Sequence, residues 1–252
     1  MKIGLAQFAP EWENPQKSIH KIETLLDKSD KDFDLLIFPE LSLTGFTMNC
    51  ERFADEIDGI GTQLFMHISS MLGTNIFAGI IEQDVHRFYN TLVHFDNGLI
   101  KARYRKIHPF SLGDEDKHFT SSHEIVVTEI DHIKFGLSIC YDLRFPELYR
   151  LYAKEKVEVM VNIASWPVQR IEHWKALLKA RAIENQCYMI GVNRVGEEPN
   201  HKYNGCSAIF DPMGNSIFIA EDEENIFIRD IDLNFVKETR NKLPFLNDIK
   251  LI

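Results

Sequence analysis

The sequence predicts a β-rich α/β fold arranged as a layered sandwich with mixed sheets. Three observations carry that prediction. Short apolar runs with strand character recur along all 252 residues, helical patterns separate some of them, and turn signals join others directly. Helices between strands allow parallel neighbours and tight turns impose antiparallel ones, so a chain with both builds mixed sheets.

In chain order, strand-like runs occupy residues 2–8, 34–38, 75–81, 89–95, 99–105, 125–130, 133–140, 157–163, 187–193, 206–210, 216–220 and 226–231. They are rich in Val, Ile and Phe, and several alternate with period two. Helical patterns cover 15–26, 62–72, 145–154 and 169–186. In the last, Ile171, Trp174, Leu177, Leu178 and Ala182 fall on one face, which is therefore core, with Glu172, Lys175 and Lys179 on another. Asn97-Gly98 marks a hairpin between two strand runs, and Pro212-Met213-Gly214 marks a second. The polar stretch 113–124, GDEDKHFTSSHE, is the longest without hydrophobic periodicity and reads as a surface or active-site loop. No linker, repeat or low-complexity tract interrupts the pattern, so residues 1–252 read as one domain.

Composition narrows the function classes. Hydrophobic residues make up 44% and charged residues 26%, as in soluble globular chains. The formal net charge of −10 excludes the basic footprint of a nucleic-acid binder, though one or two local arginines can still reverse the field inside a pocket. The opening MKIGLAQFAP reads as a strand rather than a signal peptide, and no apolar run reaches a membrane span, so the chain is expected to be cytoplasmic. Cys50, Cys140, Cys187 and Cys206 are widely spaced, without a C-x-x-C, and are expected to be free thiols.

Three reactive residue types sit where strands stop. Residues 34–38 run into Pro39-Glu40, and proline ends the ladder, placing Glu40 at the strand's carboxyl edge. Residues 99–105 stop at Lys106-Ile107-His108-Pro109, and 133–140 end in Cys140 before an abrupt change to Tyr141-Asp142-Leu143-Arg144. In α/β sheets ligands bind beyond the carboxyl ends of strands. A carboxylate can take a thiol's proton and later protonate a leaving amine, a role that suits Glu40. An ammonium such as Lys106 favours thiolate and, with the Tyr141 N–H, can stabilise an oxyanion. Taken singly, Cys140 reads more often as a buried core thiol than as a nucleophile, and spacing does not show that the three meet.

The segments FPELSLTGF (38–46), YRKIHPF (104–110) and GLSICYDLRFPELYR (136–150) resemble, in that order, the three signature blocks of the carbon-nitrogen hydrolase, or nitrilase, superfamily. MKIGLAQ at the start and HWKALLKARAIENQCYMIGVNRVG (173–196) extend the resemblance over nearly the whole chain. It implies a four-layer αββα sandwich with two mixed β-sheets, Glu40 as general base, Lys106 as oxyanion lysine and Cys140 as nucleophile. It also implies a second glutamate near the lysine, for which Glu115 is the first candidate and Glu124 the fallback, and pairing into a homodimer. LTGFTM (43–48), NIASWPVQR (162–170) and YNGCSAIFDPMGN (203–215) are most similar to the ω-amidase branch, which hydrolyses the side-chain amide of 2-oxoglutaramate or 2-oxosuccinamate. The alternative is another branch: a deaminated-glutathione amidase, an N-carbamoyl amidohydrolase or a nitrilase. A substrate carboxylate needs a cation, which Arg144 or Arg170 can supply. Phe46, Tyr141 and Trp166 are further candidates for lining the pocket, Trp166 because it follows the strand run 157–163.

Other motifs lead elsewhere and fall away. Gly136-Leu-Ser138-Ile-Cys140 begins like a serine nucleophile elbow, but Ser138 lies inside the strand. His108, His118 and His123 lack metal-ligand spacing, and neither a P-loop nor a dinucleotide fingerprint is present. No metal or cofactor is expected, and the expected partner is a small-molecule amide.

Overall fold

In the computed structural model, which describes residues 1–251, two six-stranded sheets pack face to face between helices. The strands are β1 (Lys2–Gln7), β2 (Leu35–Ile37), β3 (Asn75–Asp84), β4 (Arg87–Asp96), β5 (Leu99–Arg105), β6 (Val127–Ile130), β7 (Ile133–Ile139), β8 (Val159–Ala164), β9 (Tyr188–Asn193), β10 (Val195–Glu198), β11 (His201–Asn204), β12 (Ala208–Phe210), β13 (Ser216–Ile219) and β14 (Asn225–Asp230). The helices are α1 (Pro15–Lys28), α2 (Cys50–Phe53), α3 (Ile60–Leu72), α4 (Glu115–His118), α5 (Pro146–Lys154), α6 (Ile171–Asn185) and α7 (Asn234–Lys242).

The first sheet has the order β14-β1-β2-β3-β4-β5 and the second β13-β12-β9-β8-β7-β6. Each has a parallel centre, β1-β2-β3 in one and β7-β8-β9 in the other, flanked by antiparallel neighbours. Strands buried on both faces read as nearly continuous apolar runs, because alternate side chains serve different layers. In β2, Leu35 and Ile37 join the inter-sheet core while Leu36 packs outward under α1 and α3. In β8, Val159, Val161 and Ile163 face the other sheet, and Met160 and Ala164 face α5 and α6. The layers are thus α, β, β, α. No helix among the described residues is long and apolar enough to cross a membrane.

Both anticipated hairpins form. Asn97 and Gly98 take positive φ of 48° and 76° between β4 and β5, the left-handed pair that a two-residue turn demands. The Pro212-Met213-Gly214 turn joins β12 to β13, where the Asp211 carboxylate accepts from the Met213 and Asn215 N–H groups. Six features differ from the sequence reading. The β3–β4 turn places Val85 at φ 57°, without any turn residue to announce it. The run expected from 125 starts at Val127, and the polar stretch 113–124 contains the single turn α4. On α6, Arg181 and Asn185 join Trp174, Leu178 and Ala182 on the buried face. The hairpin β10–β11 and helix α7 carry too little apolar periodicity to read from sequence.

Candidate active site

Glu40 lies in the tight turn after β2. The next residue, Leu41, has φ 44°, and the Ser42 N–H donates to the Gly79 carbonyl at 2.9 Å. Strand β3 passes directly beneath, and a Cβ on Gly79 would lie 2.6 Å from the Leu41 nitrogen, so only glycine permits this approach. Lys106 leaves β5 with its N–H bonded to the Asn90 carbonyl at 2.9 Å. Glu115 comes in on α4. Glu40 and Glu115 are fully buried and Lys106 is 1% exposed.

These three side chains form one hydrogen-bonded cluster. Lys106 Nζ donates to Glu40 Oε1 at 2.8 Å and to Glu115 Oε1 and Oε2 at 3.0 and 2.9 Å. Asn90 Nδ2 bridges the carboxylates, 2.7 Å from Glu40 and 2.9 Å from Glu115. The Ser165 N–H donates to Glu40 Oε2 at 2.8 Å, and the Phe110 N–H to Glu115 Oε2 at 2.6 Å. Burial opposes the charge on Lys106, yet Glu115 and Glu40 outweigh it and its pKa is raised. Burial also raises Glu115, which Lys106 counters only in part.

Cys140 does not end β7; it opens the 3₁₀ turn Cys140–Arg144 with φ 45°. For a non-glycine residue this left-handed conformation costs on the order of 1–3 kcal/mol, and the surroundings must enforce it. Asp142 does so. Its fully buried carboxylate accepts from the Ile139 N–H at 2.9 Å and the Tyr104 hydroxyl at 2.7 Å on one oxygen. On the other it accepts from the His108 N–H at 3.0 Å and meets His108 Nδ1 at 2.8 Å. Asp142 thereby ties the cysteine turn to the segment following Lys106. From α6, Arg181 adds two bonds to the Leu143 carbonyl, at 3.2 and 2.8 Å. The Tyr141 N–H sits in the first turn, where backbone donors have no partner within the helix.

Burial, reinforced by the Glu40 charge, pushes the Cys140 thiol well above its ordinary value, and Lys106 opposes this without prevailing. The resting group is the thiol. Lys106 does favour thiolate, as expected, but burial and two carboxylates outweigh one ammonium.

Above the thiol lies a cavity whose wall includes Phe46, Tyr141, Arg144, Trp166 and Arg170, as well as Phe110, His201 and Tyr203. The Arg144 guanidinium stands 4.7 Å from the Trp166 ring and that of Arg170 5.5 Å from the Phe110 ring. Among the described residues neither arginine has a carboxylate partner; Arg144 makes only long contacts to His173 Nδ1, at 3.4 and 3.5 Å. Glu198 anchors the far wall, accepting from the Phe46 N–H at 2.8 Å and the Tyr203 hydroxyl at 2.7 Å while pairing with buried Arg194.

The structure brings Glu40, Lys106, Glu115 and Cys140 to one place. It excludes Glu124, which is exposed and bonded only locally, through its N–H to Ser122 Oγ at 3.3 Å. Sequence reasoning missed Asn90, Asp142 and the wall residues His201 and Tyr203. Asn90 had a signal, a lone amide inside the apolar run 89–95. Ser138 is fully buried and bonded to the Val161 carbonyl at 2.7 Å, so it is part of the core. Trp174 packs under the second sheet and donates to the Cys206 carbonyl at 2.8 Å.

An αββα sandwich with a thiol, an ammonium and carboxylates at converging strand ends defines a class of amide-cleaving enzymes. Residues 2–241 match the family described as Carbon-nitrogen hydrolase, and the chain belongs to that family. It is a hydrolase of carbon–nitrogen bonds in amides. It is 37% identical over 255 residues to a 2-oxoglutaramate amidase of Bacillus subtilis, covering 98% of this chain and 97% of that one. An omega-amidase of Yersinia enterocolitica is 31% identical over 254 residues, covering 98% and 96%. Among solved structures, a CN-hydrolase superfamily protein from Xanthomonas campestris with an arsenic adduct in its active site superposes with TM-score 0.93 at 27% identity, covering 100% of this chain and 98% of that one.

Proposed function

We propose that this enzyme hydrolyses the ω-amide of a short 2-oxo dicarboxylic acid monoamide, 2-oxoglutaramate or 2-oxosuccinamate, to the dicarboxylic acid and ammonia. The observation that carries the reading is the pair Arg144 and Arg170, uncompensated by any carboxylate among the described residues, in the wall above the Cys140 thiol. A cationic wall in a chain of net charge −10 needs a reason, and a substrate carboxylate supplies one. The similarity to a 2-oxoglutaramate amidase supports the same choice.

In this reading Glu40 takes the proton from Cys140 and the sulfur attacks the amide carbon. The oxyanion is held by the Tyr141 N–H and one Lys106 N–H. Glu115 accepts from Lys106 through both oxygens, so one N–H can turn to the oxyanion while the other stays on the carboxylate. Glu40 returns its proton to the departing ammonia, leaving a thioester, then activates the water that cleaves it. Phe46, Tyr141 and Trp166 shape the cavity around the substrate chain. We also propose a homodimer, supported by exposed Ile183, Phe245 and Leu251 in a groove that Glu147, Arg150, Glu184, Asp248 and Lys250 also line.

Turnover of 2-oxoglutaramate, an N-carbamoyl amino acid and a simple nitrile, read as ammonia, and of deaminated glutathione, read as the dipeptide amine it releases, tests the substrate. The 2-oxo amide should give the largest kcat/KM; a larger value for any of the others overturns the assignment.

A further inference from the structure

Among the described residues the cavity wall carries two arginines and a histidine and no carboxylate. His201 opens strand β11, which packs against the turn Val168–Arg170. Its ring meets Tyr203 edge-on, centroids 6.3 Å apart. The hairpin is not free to move, because Glu198 holds Tyr203, Arg194 and the Phe46 main chain at once. His201 makes no side-chain hydrogen bond to the described residues, so both ring nitrogens are free in a fixed wall. Burial and the neighbouring Arg170 charge lower its pKa, which leaves a neutral imidazole with one donor and one acceptor at neutral pH.

We propose that His201 is a specificity-determining residue that reads the carbon next to the substrate carboxylate, donating its N–H to the 2-oxo oxygen. The proposal rests on the ω-amide reading above. A 2-oxo acid end presents only acceptors, and this wall presents donors. An amino acid amide such as glutamine would instead place an ammonium beside Arg144 and Arg170, with no carboxylate to meet it. That substrate adds like-charge repulsion from the two arginines, which a single bond to the imidazole's acceptor nitrogen does not offset, so the residues that admit the oxo acid turn the amino acid away.

The test compares 2-oxoglutaramate with glutaramate, which keeps the chain length, carboxylate and amide but has no oxygen on the second carbon. Glutaramate is followed as a substrate or, where turnover is slow, as a competitive inhibitor. His201→Ala should lower kcat/KM for 2-oxoglutaramate about tenfold, the worth of one hydrogen bond, and leave glutaramate within about twofold. His201→Asn, which restores an N–H, should recover part of the loss. His201→Phe keeps a ring against Tyr203 without a donor and should match His201→Ala; a His201→Phe enzyme as selective as wild type would trace the alanine loss to a loosened hairpin and overturn the proposal. An equal fall on both substrates, or no fall on either, overturns the proposal. If the wild-type enzyme releases no ammonia from 2-oxoglutaramate, the ω-amide reading fails and takes this one with it. If it does and His201→Ala treats the substrates alike, only the role of His201 fails.

Discussion

The floor and the wall of this pocket treat charge in opposite ways. On the floor, Glu40, Lys106 and Glu115 are buried and satisfy one another through six bonds of 2.7–3.0 Å, counting Asn90 Nδ2 and Ser165 N–H. On the wall, Arg144 and Arg170 carry charge that no described carboxylate compensates. A closed network keeps its geometry whether or not a substrate is present, which suits groups that must be aimed before the reaction starts. Open charges are completed only by a ligand, which suits recognition. Changes to the floor should therefore act on kcat and stability, and changes to the wall on KM.

The largest effects are expected at the thiol and its base. Cys140→Ala should abolish ammonia release, and Glu40→Gln should lower kcat by about 10²–10⁴, the range for loss of a general base. Both should leave the fold intact by circular dichroism. Because burial and Glu40 hold Cys140 protonated at rest, Glu40→Gln removes the proton acceptor together with the charge. Substantial turnover in either variant would sink the proposed roles.

Next comes the cluster's charge balance. Lys106→Met leaves Glu40 and Glu115 sharing Asn90 with no cation between them, and removing one partner of a buried ion pair typically costs about 3–5 kcal/mol. Its urea midpoint should drop sharply. Adding Glu115→Gln to Lys106→Met should recover part of that stability without recovering activity, since the oxyanion donor is still missing. A stable Lys106→Met single variant would show that the floor is not the closed network described.

The contrast also explains what the sequence made legible. Glu40, Lys106 and Cys140 stood out because each sits where a strand run stops at its carboxyl end, a purely local pattern. Glu115 ranks ahead of Glu124 by resemblance alone, as both lie in a polar stretch where burial leaves no periodic trace; the structure buries the first and exposes the second. Asp142 was invisible as an organiser because its partners, Tyr104, His108 and Ile139, are brought together by folding. The hairpin β10–β11 reads as a charged surface segment. Its Glu198 looks like a solvated acid until Arg194, Phe46 and Tyr203 are seen around it. Sheets follow from hydrophobic periodicity, whereas a pocket wall depends on long-range polar contacts.

On the wall the effect should be smaller and confined to binding. Arg170→Gln should raise KM for 2-oxoglutaramate about 10–100-fold, the worth of a charge-assisted hydrogen bond, with kcat changed little. Arg170→Lys keeps the charge but not the fork and should fall between. An uncharged short amide should be hydrolysed equally by wild type and Arg170→Gln. If Arg170→Gln instead lowers kcat with KM unchanged, the arginine belongs with the floor.

A third buried polar site, away from the pocket, shows the cost of burying an ionisable group with no charged partner. His94 on β4 meets Thr128 on the opposite sheet through Nδ1 at 2.7 Å and Asn75 through Nε2 at 3.0 Å. Burial lowers its pKa from 6.5 to about 4. The unfolded chain therefore binds this proton at a higher pH than the native one does, so the native state loses stability as pH falls from about 6.5 towards 4 and is unaffected above that window. The loss is about 1 kcal/mol at pH 6 and about 2 kcal/mol at pH 5, with the unfolded histidine at its ordinary pKa. Replacement by His94→Gln, which keeps hydrogen-bonding capacity without titrating, should flatten the dependence of the urea midpoint on pH over this range. Carboxylates titrating below pH 5 add their own slope to both proteins, so the difference between the two curves is the quantity to read. Curves that stay parallel between pH 7 and 5 would show that His94 takes up no proton on unfolding there.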